Sequence, residues 1–120
     1  MTAPSRVLVV DDAELARRTL LALLGRAGFE TRAAASVADA RQQIDSWHPH
    51  LVLLDRRLPD GDGVELARAL RAQPACVALR IVLMSGDPLP DDAAAVADAV
   101  LLKPVGARVV LDAVAAALAN

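Results

Sequence analysis

Cys76 is the only cysteine in the 120 residues, so an internal disulfide and a cysteine-based zinc cluster are both excluded. A single thiol also favours a reducing compartment. Aromatics are nearly as scarce. With Trp47 and Phe29 alone and no tyrosine, a core has to be assembled from aliphatic layers, and Ala, Leu and Val dominate the 55% apolar content. No apolar run approaches the roughly 20 residues that cross a bilayer, and Met1–Ser5 lacks the charged and apolar regions of a secretory signal. A cytoplasmic protein with no membrane partner is therefore expected. Positive charge is not in excess either. Thirteen basic and 15 acidic residues are mixed along the chain, with no basic stripe of the kind that nucleic acid requires. Lysine is almost missing, since Lys103 stands against 12 arginines.

What remains is an ordinary globular composition, long enough for one core and too short for two ordinary domains, so residues 1–120 are read as one domain. Four short apolar runs each end on a polar residue able to handle a phosphoryl group. Val7–Val10 ends on Asp11-Asp12, Leu51–Leu54 on Asp55, Ile81–Met84 on Ser85, and Val100–Leu102 on Lys103. Each run is about four residues long and bounded by charge or turn signals, which suits buried strands and is too short for helices.

Segments of helical period separate them. Ala16, Leu20, Leu23, Leu24 and Ala27 make one apolar face, with Gly28 as a left-handed stop. Glu30–Ala34 makes a further strand, and Ser36 is a good N-cap for a helix carrying Val37, Ala40, Ile44 and Trp47, stopped by Pro49. The turn-rich stretch Leu58–Gly63 precedes a helix with Leu66, Ala67 and Leu70 on one face. Pro88 and Pro90 leave room only for a loop and a shortened fourth helix starting near Asp91-Asp92. Val110, Leu111, Val114, Ala117 and Leu118 repeat along a last helix from Gly106 or Ala107. Strict alternation of this kind predicts an α/β fold, a doubly wound parallel sheet of five strands with helices on both faces.

In such a sheet the C-terminal strand ends line one crevice. Carboxylates brought together there repel one another unless a cation sits between them, and Mg²⁺ is the natural one, because it is a hard ion that takes oxygen ligands and shares sites with phosphate. One carboxylate can then serve as nucleophile toward phosphorus, with metal and ammonium neutralising the transferring group. Lys103 supports this, because a composition that otherwise uses arginine has kept a flexible single-point cation at this one strand end.

Asp11-Asp12, Asp55 with Leu58-Pro59-Asp60-Gly61-Asp62-Gly63, Ser85-Gly86 and Lys103-Pro104, in this order and each after an apolar run, resemble the receiver domains of two-component response regulators. The resemblance covers nearly the whole chain. It implies a flavodoxin-like sheet in the order 2-1-3-4-5 and a role in phosphorelay signalling. It implies that Asp55 is the phosphoacceptor, charged from a phosphohistidine on a histidine kinase or histidine phosphotransfer protein. It implies that Asp11 and Asp12 bind Mg²⁺ together with Asp55 and the main-chain carbonyl of Arg57, that Ser85 hydrogen-bonds the phosphoryl group, and that Lys103 pairs with one of its oxygens.

Departures from the family pattern are visible. Val100 occupies the position three before the lysine, where the family usually carries a switching aromatic, Val105 stands where Phe is frequent, and the stretch from Ser85 to Lys103 is several residues short. That shortness resembles receivers of hybrid-kinase type; with no effector domain in the sequence up to Asn120, a stand-alone regulator, a phosphorelay shuttle and a receiver excised from a hybrid kinase or longer regulator are all compatible with it. Arg57 and Asp87, each two residues beyond a site residue, are expected to pair across the mouth and gate water. His48 and His50 are expected at the opposite end of the sheet, and Arg17 and Arg18 in solvent.

A pseudo-receiver that docks without phosphorylation is one alternative, disfavoured by the intact Asp12, Asp55, Ser85 and Lys103. An aspartyl-phosphate phosphatase is another, but such enzymes resemble one another in an Asp-x-Asp pattern after the first strand, whereas these acids are adjacent. A flavodoxin-like cofactor binder needs a Gly, Ser or Thr loop there, and Asp11-Asp12-Ala13-Glu14 would repel its phosphate. A signalling module is expected, and not an enzyme.

Overall fold

The computed structural model of the chain describes residues 3–119, so the first two residues of the Met1–Ser5 segment, and Asn120, lie outside the description that follows. The elements are β1 (Arg6–Val10), α1 (Glu14–Arg26), β2 (Glu30–Ala34), α2 (Val37–Trp47), β3 (Leu51–Asp55), β4 (Arg57–Leu58), β5 (Gly61–Asp62), α3 (Gly63–Arg71), a 3₁₀ turn at Pro74–Cys76, β6 (Arg80–Ser85), α4 (Ala93–Val96), β7 (Ala99–Leu102) and α5 (Ala107–Ala119). Five strands form a parallel sheet in the order β2-β1-β3-β6-β7. The order is the predicted one, with β6 and β7 as fourth and fifth strands. The difference lies in the turn-rich stretch after Asp55, which folds into a tiny antiparallel hairpin, β4 with β5, closed by Arg57 opposite Asp62.

All five residues of β3 are buried, because β1 and β6 flank the strand and helices cover both faces. Alternate side chains sort into two cores. Leu8, Val10, Val52, Leu54, Ile81 and Leu83 pack with α2, α3 and α4, while Val7, Val9, Leu51, Leu53, Val82 and Met84 pack with α1 and α5. Full burial of such a side chain is worth about 1.5–3 kcal/mol, against about 0–1 kcal/mol for an exposed ion pair. The sheet positions are therefore set by aliphatic packing, and the surface charges are left to adjust loops.

Gly28 stops α1 with φ +98, and the Ser36 hydroxyl accepts the Asp39 N–H to cap α2, both as the sequence predicts. α2 has a second, unpredicted cap. The Asp60 carboxylate reaches across from the β4–β5 turn and accepts the N–H groups of Val37 (2.7 Å) and Ala38 (3.0 Å). These two bonds hold its acidity stronger than that of an ordinary carboxyl group. α4 is shortened as the prolines predict, to the single turn Ala93–Val96, and it leaves Val100 and Leu102 of β7 exposed at 36% and 57%. His50 accepts the Arg6 N–H through Nδ1 and the His48 carbonyl accepts the Arg6 guanidinium, which places both histidines at the N-terminal end of the strands.

A carboxylate cluster at the strand ends

Register brings the site together. Val10 lies opposite Leu54 and Asp55 opposite Met84, so the residues that follow β1 and end β3 and β6 are level with one another. Ser85 in turn lies opposite Leu102, the neighbour of Lys103. One carboxylate oxygen from each of Asp11, Asp12 and Asp55 lies within 4.8 Å of the others. The Lys103 Nζ stands 3.0 Å from Asp55 Oδ1 and 3.5 Å from Asp11 Oδ2.

The environments of these groups differ. Asp11 is 1% exposed; its Oδ1 accepts the Ala13 N–H at 2.9 Å, whereas its Oδ2 is buried with no hydrogen-bond partner. Asp12 is exposed. Burial and, less strongly, the neighbouring Asp11 charge push the Asp55 carboxyl above the ordinary carboxylate range, although the Lys103 hydrogen bond pulls the other way. Burial works against the Lys103 charge, but its contacts with Asp55 and Asp11 together outweigh it and hold the ammonium above the ordinary lysine value. A buried carboxylate oxygen that faces the Lys103 ammonium at 3.5 Å but accepts no hydrogen bond is only partly compensated for its lost hydration. The orphaned Asp11 Oδ2, in an all-oxygen set shared by two strand ends, fits a hard divalent cation such as Mg²⁺.

Ser85 is 1% exposed, and its hydroxyl is turned onto its own loop, donating to the Asp87 carbonyl at 2.7 Å and accepting the Asp87 N–H at 3.1 Å. Arg57 is the first residue of β4, two beyond Asp55, and its guanidinium meets the Asp87 carboxylate at 2.5 Å on the surface. That hydrogen bond and its charge hold Asp87 below the ordinary carboxylate value. Asp11, Asp12, Asp55 and Lys103 thus converge, and Arg57 and Asp87 pair as expected.

Arg17 is a correction. Expected in solvent, it is half-buried, and its Nη1 donates to the Asp11 carbonyl at 2.9 Å, because the first turn of α1 starts just beyond the end of β1. Gly63 is a residue whose role the sequence did not announce. A Cβ there would lie 2.4 Å from the Asp55 carbonyl oxygen, and its N–H donates to the Arg56 carbonyl at 2.6 Å, so α3 starts in direct backbone contact with the end of β3. Its place at the close of the Asp-Gly-Asp-Gly run signals a turn and gives no sign of this contact.

Residues 7–115 match the family model of the response regulator receiver domain. Among curated proteins, the KDP operon transcriptional regulatory protein KdpE of Escherichia coli is 35% identical over 105 residues, which are 85% of this chain and 46% of that protein. The DNA-binding transcriptional activator DevR/DosR of Mycobacterium tuberculosis is 46% identical over 68 residues, 54% of this chain and 31% of that protein. The chain therefore spans less than half the length of these relatives. Among solved structures, a CheY-like receiver domain from Methylobacillus flagellatus superposes with a TM-score of 0.86 at 28% identity, over 94% of this chain and 98% of that one. The BeF3-activated N-terminal receiver domain of Klebsiella pneumoniae RstA gives 0.86 at 26% identity, over 97% of this chain and all (100%) of that one. With its five-stranded order and its acidic strand ends already in place, the chain belongs to the response regulator receiver domains.

Proposed function

We propose that the chain is a phosphoacceptor in two-component or phosphorelay signalling, in which Asp55 takes a phosphoryl group from a phosphohistidine on a histidine kinase or histidine phosphotransfer protein. The observation that carries this reading is the meeting of the Asp11, Asp12 and Asp55 carboxylates within 4.8 Å, with the Lys103 ammonium 3.0 Å from Asp55 Oδ1. An oxygen of Asp55 attacks phosphorus, the phosphorus–nitrogen bond breaks, and its electron pair returns to the imidazole. Asp11, Asp12 and Asp55, with the main-chain carbonyl of Arg57, would hold Mg²⁺, which supplies charge neutralisation to the transferring group. Lys103 takes up one phosphoryl oxygen as the charge on the Asp55 carboxylate passes outward. Ser85 turns its hydroxyl from the Asp87 carbonyl to the phosphoryl group.

The partner would approach over the apolar groove of about 710 Å³ beside the site, where Leu15, Leu20, Pro104 and Val105 meet Asp11 and Lys103. The Arg57–Asp87 pair, whose members follow Asp55 and Ser85 by two residues each, would stand over the same mouth and slow water attack on the acyl phosphate. We expect no turnover enzyme here and neither nucleic acid nor membrane as a direct partner, with phosphorylation altering protein binding in the cytoplasm. Among the described residues no helix is long and apolar enough to cross a membrane.

Incubation with Mg²⁺ and acetyl phosphate, read by intact mass, tests the reading. A phosphate-sized adduct is expected on the wild-type chain and not on Asp55→Asn, and it should disappear when EDTA replaces the metal. A wild-type chain that gains no adduct under these conditions would leave only a docking module.

A further inference from the structure

We propose that three arginines, Arg56, Arg68 and Arg71, latch the segment from Pro88 to Asp98 in its present position, and that phosphorylation of Asp55 has to work against this latch. The segment comprises the loop after β6 and the one-turn α4. A fourth helix of ordinary length would bury a full apolar face, whereas here Ala93 is buried and Leu89, Val96 and Ala97 are only partly buried against the core. Directional contacts add to this reduced packing. Arg56 donates to the Pro88 carbonyl at 3.2 Å, and Arg68 meets the Asp92 carboxylate at 2.5 Å. Arg71 donates to the Val96 carbonyl and to the Asp98 carboxylate, each at 2.9 Å, and also to the Leu79 carbonyl at the foot of β6. Asp98 Oδ2 accepts the Ile81 N–H as well, at 2.8 Å. The segment is thus fastened along its length to α3 and to the residue after Asp55, and none of the three side chains belongs to the carboxylate cluster.

The connection to the site runs through Ser85, whose hydroxyl holds the carbonyl of Asp87, the residue just before this segment. This inference rests on the phosphoacceptor reading. A phosphoryl group that captures the Ser85 hydroxyl releases the main chain of Asp87, whose carboxylate stays paired with Arg57, and any shift transmitted past Pro88 must stretch or break the arginine contacts. These contacts are therefore part of the free-energy difference between the two states, and by linkage they lower the affinity for whatever occupies the phosphoryl position.

The test is ¹⁹F NMR titration of the full chain with beryllofluoride, a phosphoryl mimic, in the presence of Mg²⁺. Asp92→Ala, Arg68→Ala and the double variant are compared with wild type, with thermal unfolding to establish that each is folded. Asp92 makes no side-chain capping bond to α4, so its removal isolates the pair, whereas Arg68→Ala also loses the Glu65 contact. Each single variant is expected to bind beryllofluoride about two- to fivefold more tightly, the range that partly exposed pairs can supply, and the double variant no more tightly than either. Unchanged or weaker binding in folded variants overturns the latch alone, as does full additivity in the double variant. A wild-type chain with no saturable signal overturns the phosphoacceptor reading and the latch with it.

Discussion

Individual side chains near Asp55 divide into those that build the charge cluster and those that pair on the surface just beyond it in the chain. Lys103 and the two buried aspartates belong to the first group, and their spacing after apolar runs was enough to find them. Arg57 and Asp87 belong to the second, being 78% and 53% exposed at the side chain, and a pair so open to water contributes little to folding. Its proposed consequence is kinetic. On the proposed gating role, Arg57→Ala opens a route for water to the acyl phosphate, so the phosphorylated variant should lose its phosphoryl group faster than wild type while unfolding at the same temperature. The decay of the phosphate-sized adduct, followed by intact mass after removal of the phosphodonor, measures this directly. Equal decay rates would reduce the pair to two solvated charges.

At the scale of elements, the start of α3 decides where the nucleophile sits. Gly63→Ala would gain up to about 1 kcal/mol in helix propensity, but the added Cβ would lie 2.4 Å from the Asp55 carbonyl oxygen, a backbone atom with no rotamer to escape into. Overpacking of this kind costs about 1–3 kcal/mol. The net expectation is a lower denaturant midpoint and, because the end of β3 must shift, weaker Mg²⁺ binding by isothermal calorimetry. Stability and affinity both equal to wild type would show that β3 yields freely there. The same contact marks the limit of legibility. Strands, helices and the one-turn α4 could be read because periodicity, caps and prolines are local signals, as at Ser36, Gly28 and Pro88. The β4–β5 hairpin, the Asp60 cap on α2, the approach of Gly63 and the contacts of Arg17, Arg68 and Arg71 join residues from different elements. A charged residue carries no mark of which distant partner it will meet, so these were found only in the folded chain.

Over the whole molecule, the fold bears the cost of its own site. With the folded-state value of Asp55 above the ordinary carboxylate value, ionising this group is harder in the folded chain than in the unfolded one. Its contribution to stability is therefore complete below the ordinary carboxylate pKa and is lost as pH rises through the folded value. Asp55→Asn carries no charge to bury. Without metal it should match wild type in acid and unfold at a higher temperature at neutral pH, the gap opening as pH climbs through the folded value of Asp55. Mg²⁺ reverses the balance, because a cation that binds only the native cluster stabilises it by about 1.4 kcal/mol at tenfold excess over its dissociation constant. The orphaned Asp11 Oδ2 and the crowded carboxylates are the groups that gain from it. Thermal unfolding across pH, with EDTA and with saturating Mg²⁺, should show the variant's advantage at neutral pH shrinking or inverting when the metal is added. An advantage that persists unchanged in Mg²⁺ would mean that Asp55 takes no share in holding the ion, and the cluster would have to be redrawn around Asp11 and Asp12 alone.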